Sequence, residues 1–160
     1  MRIEDLYTPE ILALTTQIPH LGRLDAADGE AILRSRTCGS RIHVMLRLDD
    51  EDRIAAFAQE LEACALAQAA AAILGQGIVG ARAEEVHAAR DHLQRMMHAG
   101  APPPEEGRFA GLAVLAPVRD VPARHESVLL PFEAACRALA AATAERAGIR
   151  PRVPGDDGAE

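Results

Sequence analysis

From Arg41 to Leu48 the chain alternates, with Ile42, Val44, Leu46 and Leu48 on one side and Arg41, His43, Met45 and Arg47 on the other. A period of two places one set on a packed face and the other toward solvent, the pattern of a half-buried strand. This stretch constrains the fold most, because a strand with one apolar face requires both a partner strand and a covering layer. Asp49-Asp50-Glu51-Asp52 follows as a charged turn. The next segment, Arg53 to Leu61, reads two ways. In isolation Ile54-Ala55-Ala56-Phe57-Ala58-Gln59-Glu60-Leu61 has helical propensity. Its place after a strand and a tight turn favours a hairpin partner, and we read it as strand. Glu30 to Arg34 supplies a short strand upstream. His43 falls on the polar side of its strand and reads as solvated.

The rest of the chain reads as helices that cover such a sheet. Thr8-Pro9-Glu10 starts one, with a hydroxyl cap, a proline at the first helical position and an acid at the positive dipole end. Pro19 and Gly22 end it. The alanine-rich run from Cys64 to Val79 reads as a buried helix, loosened and ended by Gly75, Gly77 and Gly80. Ala83 to Ala99 is a further helix, acidic at its start, and Gly100 to Pro104 cannot continue it. Phe109 to Leu115 is a short apolar element, and Pro117 to Pro122 carries the chain across the surface. A last helix is expected from Pro131 to Ala147. The fold class is α+β, with residues 1–147 as one domain and 148–160 as a disordered tail.

Composition excludes some functions. The net charge of −7, with all basic charge on Arg and no Lys, argues against nucleic acid as partner. No apolar run of about 18 residues exists, so no membrane span is expected. The first residues, Met1-Arg2-Ile3-Glu4-Asp5, lack the apolar core of a signal peptide. An odd count of 3 cysteines then reads as thiols in a cytoplasmic protein.

The candidate chemistry centres on Cys38 and Cys64, which flank the strand pair and are expected to meet at the margin of the sheet. Cys38 precedes Gly39, where the backbone can turn sharply and leave a thiol exposed. Cys64 stands at the first turn of a helix, where free N–H groups favour a thiolate. Arg36 and Arg41 add positive charge nearby. Cys136 shares a helix face with Phe132 and Leu139 and reads as core. His87 and His92 do not share a helix face and are not a ligand pair. Asp49 to Asp52 lacks the ordered spacing of a calcium loop.

Several segments in this order resemble one family, the iron–sulfur cluster assembly scaffolds of the NifU N-terminal/IscU/SufU group. They are Leu6-Tyr7 with Ile11-Leu12, Gly22-Arg23-Leu24 with Ala27-Asp28, Cys38-Gly39-Ser40-Arg41-Ile42, and Phe57 with Ala63-Cys64-Ala65-Leu66 and Gln68-Ala69. Gly80-Ala81-Arg82, Met96-Met97 and Val118 to Arg124 are similar to the SufU branch. The resemblance implies a three-stranded antiparallel sheet with helices packed on one face, and a scaffold or carrier more than an enzyme. It also implies a [2Fe–2S] cluster or iron on three cysteines plus an aspartate or histidine, with zinc at the same site in some SufU members. The implied partners are a cysteine desulfurase and iron–sulfur acceptor proteins.

The departures fall on the site. The family's motif aspartate is Ser40 here, its third cysteine is Ser127, and Glu126 occupies the place of histidine in the IscU branch. The glycine before the second cysteine is Ala63, and an early-loop asparagine is His20. The expected metal ligands are therefore Cys38 and Cys64, with Glu126 or His125 to complete the set. Three functions are open on this reading: a scaffold with an incomplete ligand set, a zinc-binding sulfur acceptor of the SufU kind, or a degenerate homologue that only binds partners.

Overall fold

A computed structural model describes residues 2–148; of the tail expected to be disordered, only Gly148 falls among them. Three strands, β1 (Gly29–Arg34), β2 (Arg41–Leu48) and β3 (Ile54–Glu62), form an antiparallel sheet in that order. The alternating stretch is β2 without change of bounds, and the segment with two readings is the strand β3. On the inner face Ile42, Val44 and Leu46 stand opposite Leu61, Gln59 and Phe57.

The outer face corrects the expectation for His43. It is only 9% exposed, because Ile32 and Glu60 flank it in the ladder. Its Nε2 lies 2.9 Å from Glu30 Oε2 and its Nδ1 lies 3.7 Å from Glu60 Oε1. Arg23 Nε in turn donates to Glu60 at 2.8 Å. Residues on neighbouring strands, invisible to a single-strand pattern, cover the ring.

Four α-helices lie on the inner side, α1 (Pro9–Thr15), α2 (Ala65–Ile78), α3 (Ala83–Ala99) and α4 (His125–Arg146); α2 and α4 pack on the sheet, α1 on α2 and α3 on α4. Thr8 caps α1, its hydroxyl accepting from Ile11 N at 3.2 Å. Helix α2 runs through Gly75 and Gly77 to Ile78, so those glycines are packing positions and not the end of the helix. Ala69 to Ala72 are all fully buried, and this small-residue surface lets α2 lie close to α1 and α4. Between α3 and α4 the chain forms a long 3₁₀ segment, Ala110–Asp120, which buries Leu112, Leu115 and Val118, and a short one, Pro122–Arg124. The sequence divided that stretch into an apolar element and a surface crossing.

Helix α4 also departs from expectation. It begins at His125, six residues before Pro131, which sits inside the helix. Proline at a helix start is the common placement, and reading Pro131 that way hid the first turns. Tertiary packing overrides the local penalty here: Ser127 and Val128 are fully buried, and His125, Leu129 and Leu130 nearly so. The run Pro122–Arg146 is long and apolar enough to cross a membrane by length and composition. However, 67% of its apolar window is buried inside the fold, where α4 packs on β1, β2, α2 and α3.

The approach of α4 to β1 depends on Gly29. A Cβ at that position would meet the carbonyl of Ala138 and lie 2.7 Å from Ala142 N. Neither backbone atom can move without shifting the helix. Gly29→Ala is therefore expected to destabilise the protein by about 1–3 kcal/mol, read as a lower urea midpoint. An unchanged midpoint would show that α4 does not depend on this close approach.

Candidate functional site

The turn between β1 and β2, the end of β3 and the start of α2 meet at one end of the sheet. Arg34, Arg41 and Glu62 are aligned there across the three strands. The turn is Ser35-Arg36-Thr37-Cys38-Gly39-Ser40, closed by Ser35 N donating to Ser40 O at 2.7 Å. Gly39 takes φ +70°, the left-handed conformation that side chains disfavour, and so lets Cys38 sit at the tip. Ser35 Oγ accepts from Thr37 N at 3.2 Å and from Cys38 N at 3.3 Å, which holds the tip from inside. Cys64 is the N-cap of α2.

Serine hydroxyls connect the two cysteines. Cys64 N donates to Ser40 Oγ at 3.0 Å, and that hydroxyl lies 2.8 Å from Cys38 Sγ. From the other side, in the first turn of α4, Ser127 Oγ donates to Cys38 Sγ at 3.3 Å. Ser40 is 2% exposed and Ser127 fully buried, so both hydroxyls face the sulfur and not water. Burial by itself would push the Cys38 thiol up. Hydrogen bonds from the hydroxyls of Ser127, Ser35 and Ser40, together with the Ser40 backbone, outweigh it and bring the thiol from 9.0 down to about 6. With that value Cys38 is roughly nine-tenths thiolate at pH 7.

The other candidates are placed as follows. Glu126 Oε1 accepts from Arg36 N at 2.6 Å, so its carboxylate braces the cysteine turn through the backbone. His125 is 8% exposed and its Nε2 lies 3.0 Å from the carbonyl of Arg119. A carbonyl can only accept, so that nitrogen carries the proton. The ring also lies 5.3 Å from that of His98. Cys136 is buried in the core, and desolvation raises its thiol to about 11. Asp49 caps its own turn, with Oδ1 accepting from Glu51 N and Arg53 N at 2.9 Å. Among the described residues no group of three or more His, Cys, Asp or Glu side chains could hold a metal ion. Sequence reasoning missed Ser35 and the Arg36 amide. The Ser-x-Thr-Cys pattern was the available signal, since a hydroxyl two or three residues upstream can bond the backbone of a turn.

Fold and site together define an α+β domain that presents a hydroxyl-supported thiolate and a second cysteine at one end of a three-stranded sheet. The model of the NifU-like N-terminal domain matches residues 6–127, and the chain belongs to that family. A crystal structure of a nitrogen-fixing NifU-like protein (N-terminal) from Brucella abortus is 38% identical, with a TM-score of 0.83 over 88% of this chain and 96% of that one. A putative iron–sulfur cluster assembly scaffold protein for the SUF system, from Fervidobacterium islandicum AW-1, is 21% identical and has a TM-score of 0.78 over 86% of this chain and 99% of that one. At that identity the likeness concerns the fold. No curated protein matches the chain significantly.

The hydroxyl network has a direct signature. Alkylation of Cys38 by iodoacetamide should rise with pH around a midpoint near 6 and not near 9.0. Ser127→Ala removes one charge-assisted bond and should move that midpoint upward by roughly one pH unit. A wild-type midpoint near the ordinary thiol value would mean the serines do not support a thiolate.

Proposed function

We propose that the chain is a scaffold-type protein of iron–sulfur cluster assembly that takes iron or a [2Fe–2S] unit as cargo on Cys38 and Cys64. The observation that carries this reading is the Cys38 thiolate, linked to Cys64 through Ser40 Oγ at 2.8 and 3.0 Å. Soft thiolates are the donors such cargo requires. Family membership supports the reading.

The ligand set is incomplete in a definite way. The Cys38 sulfur, the hydroxyls of Ser40 and Ser127 and the backbone N–H of Cys64 meet at this point, whereas a resident zinc or iron ion wants four strong donors. This set does not fit a permanent metal centre. It suits cargo held weakly and released to an acceptor. Glu126 is the carboxylate that can complete the set, by exchanging its bond to Arg36 N for the metal; His125, whose Nε2–H is held by Arg119 O, has only Nδ1 to offer. Iron binds the thiolate and not the thiol, so loading should weaken as pH falls through about 6 and Cys38 takes up its proton.

A second reading rests on the same thiolate. Cys38 can attack the outer sulfur of a donor persulfide, forming a Cys38 persulfide as the donor's S–S bond breaks. The donor leaves as a thiolate, and no net oxidation occurs. This is sulfur acceptance from a desulfurase, without the zinc that the resemblance associates with it.

Anaerobic loading with iron and sulfide separates these readings. The scaffold reading expects visible absorption that is lost in Cys38→Ala and falls at least severalfold in Cys64→Ala. Colourless wild-type protein would overturn it. Incubation with a cysteine desulfurase and cysteine, followed by mass spectrometry, would place one added sulfur on Cys38 under the second reading. No added sulfur there would overturn that one.

A further inference from the structure

A groove of about 740 Å³ lies on the far side of the cysteine turn, between β1 and the first half of α4. Leu33, Leu129 and Leu130 form an apolar floor. Arg34, Arg36 and Arg137 line its rim, all exposed, and no carboxylate lies within ion-pair distance of any of them among the described residues. Both carboxylates in the groove are engaged elsewhere. Glu133 accepts from Arg90 at 3.4 Å and from Gln94 at 3.0 Å, and Glu126 accepts from Arg36 N.

The fold alone gives no reason for this charge. Arg34 stands directly opposite Arg41 in the ladder, a like-charge pair that costs stability. In a chain of net charge −7, an exposed cationic rim over an apolar floor is matched by a ligand that is anionic and carries apolar anchors. The groove follows α4 from Glu126 to Arg137, about 16 Å at the helical rise, which is the length of roughly five extended residues. That length and openness fit a peptide better than a small anion, which would need the guanidinium groups to converge.

We infer that this groove docks an acidic peptide segment of a partner protein, its carboxylates on Arg34, Arg36 and Arg137 and its apolar side chains on Leu33, Leu129 and Leu130. A partner held there lies against the turn that carries Cys38, because Arg36 belongs to both the groove and the turn and Glu126, also in the groove, accepts from its amide. The inference does not depend on what the cysteines carry.

The test uses the full chain and a fluorescein-labelled peptide of alternating Glu and Leu, followed by anisotropy. Binding should be saturable, should weaken with added salt, and should fall roughly five- to thirtyfold in R34A/R137A. The control double variant R47A/R95A, with exposed arginines outside the groove, should bind as wild type. Thermal melts of both variants should not fall below wild type, since all four side chains are exposed and R34A removes a like-charge pair. Absence of binding, equal binding by R34A/R137A and wild type, or displacement by inorganic phosphate as effective as by unlabelled peptide would overturn the inference.

Discussion

The site depends on how closely α4 can lie against β1. With no side chain at Gly29, the helix backbone at Ala138 and Ala142 comes down onto the first strand. The N-terminal turn of the same helix then reaches the loop at the other end of that strand. There Ser127 meets Cys38, and Glu126 meets the Arg36 amide. One contact at the foot of β1 therefore sets the electrostatics at its head. The alanine surface of α2 serves the same end by letting α4 sink between helix and sheet.

The serines change how the altered site is understood. Read against the resemblance, Ser40 and Ser127 are lost ligands. In the structure they are hydrogen-bond donors to the one thiol whose ionisation is strongly favoured. A hydroxyl is a poor partner for iron but a good one for a free thiolate, since it stabilises negative charge without covalent commitment. The two hydroxyls thus leave the Cys38 thiol prepared for reaction.

Much of the fold was legible because it rests on local periodicity. The alternation in β2 and the cap at Thr8 are written in adjacent residues, and the structure places both where they were expected. What was not legible depends on neighbours distant in sequence. His43 reads as solvated until Glu30 and Glu60 are brought beside it. Pro131 reads as a helix start until the burial of His125 to Leu130 shows that packing carries the helix through it. At the site, residue type and spacing pointed to Cys38 and Cys64. The network around Cys38 needed the turn geometry that aims Ser35 inward and the helix that delivers Ser127. His20, where the family pattern has asparagine, keeps a left-handed backbone at φ +61°, a conformation that asparagine tolerates more readily.

Pro131 has a consequence for motion. Lacking an N–H, it leaves the carbonyl of Ser127 without the helical bond it would otherwise accept. The turn that presses a hydroxyl onto Cys38 is thus tied to the remainder of α4 by one fewer rung, and it relies on side-chain packing for its place. Such a turn can open locally at a lower free energy than the whole domain requires. The place of the Ser127 hydroxyl beside the sulfur is then set by what packs around this turn more than by the helical ladder.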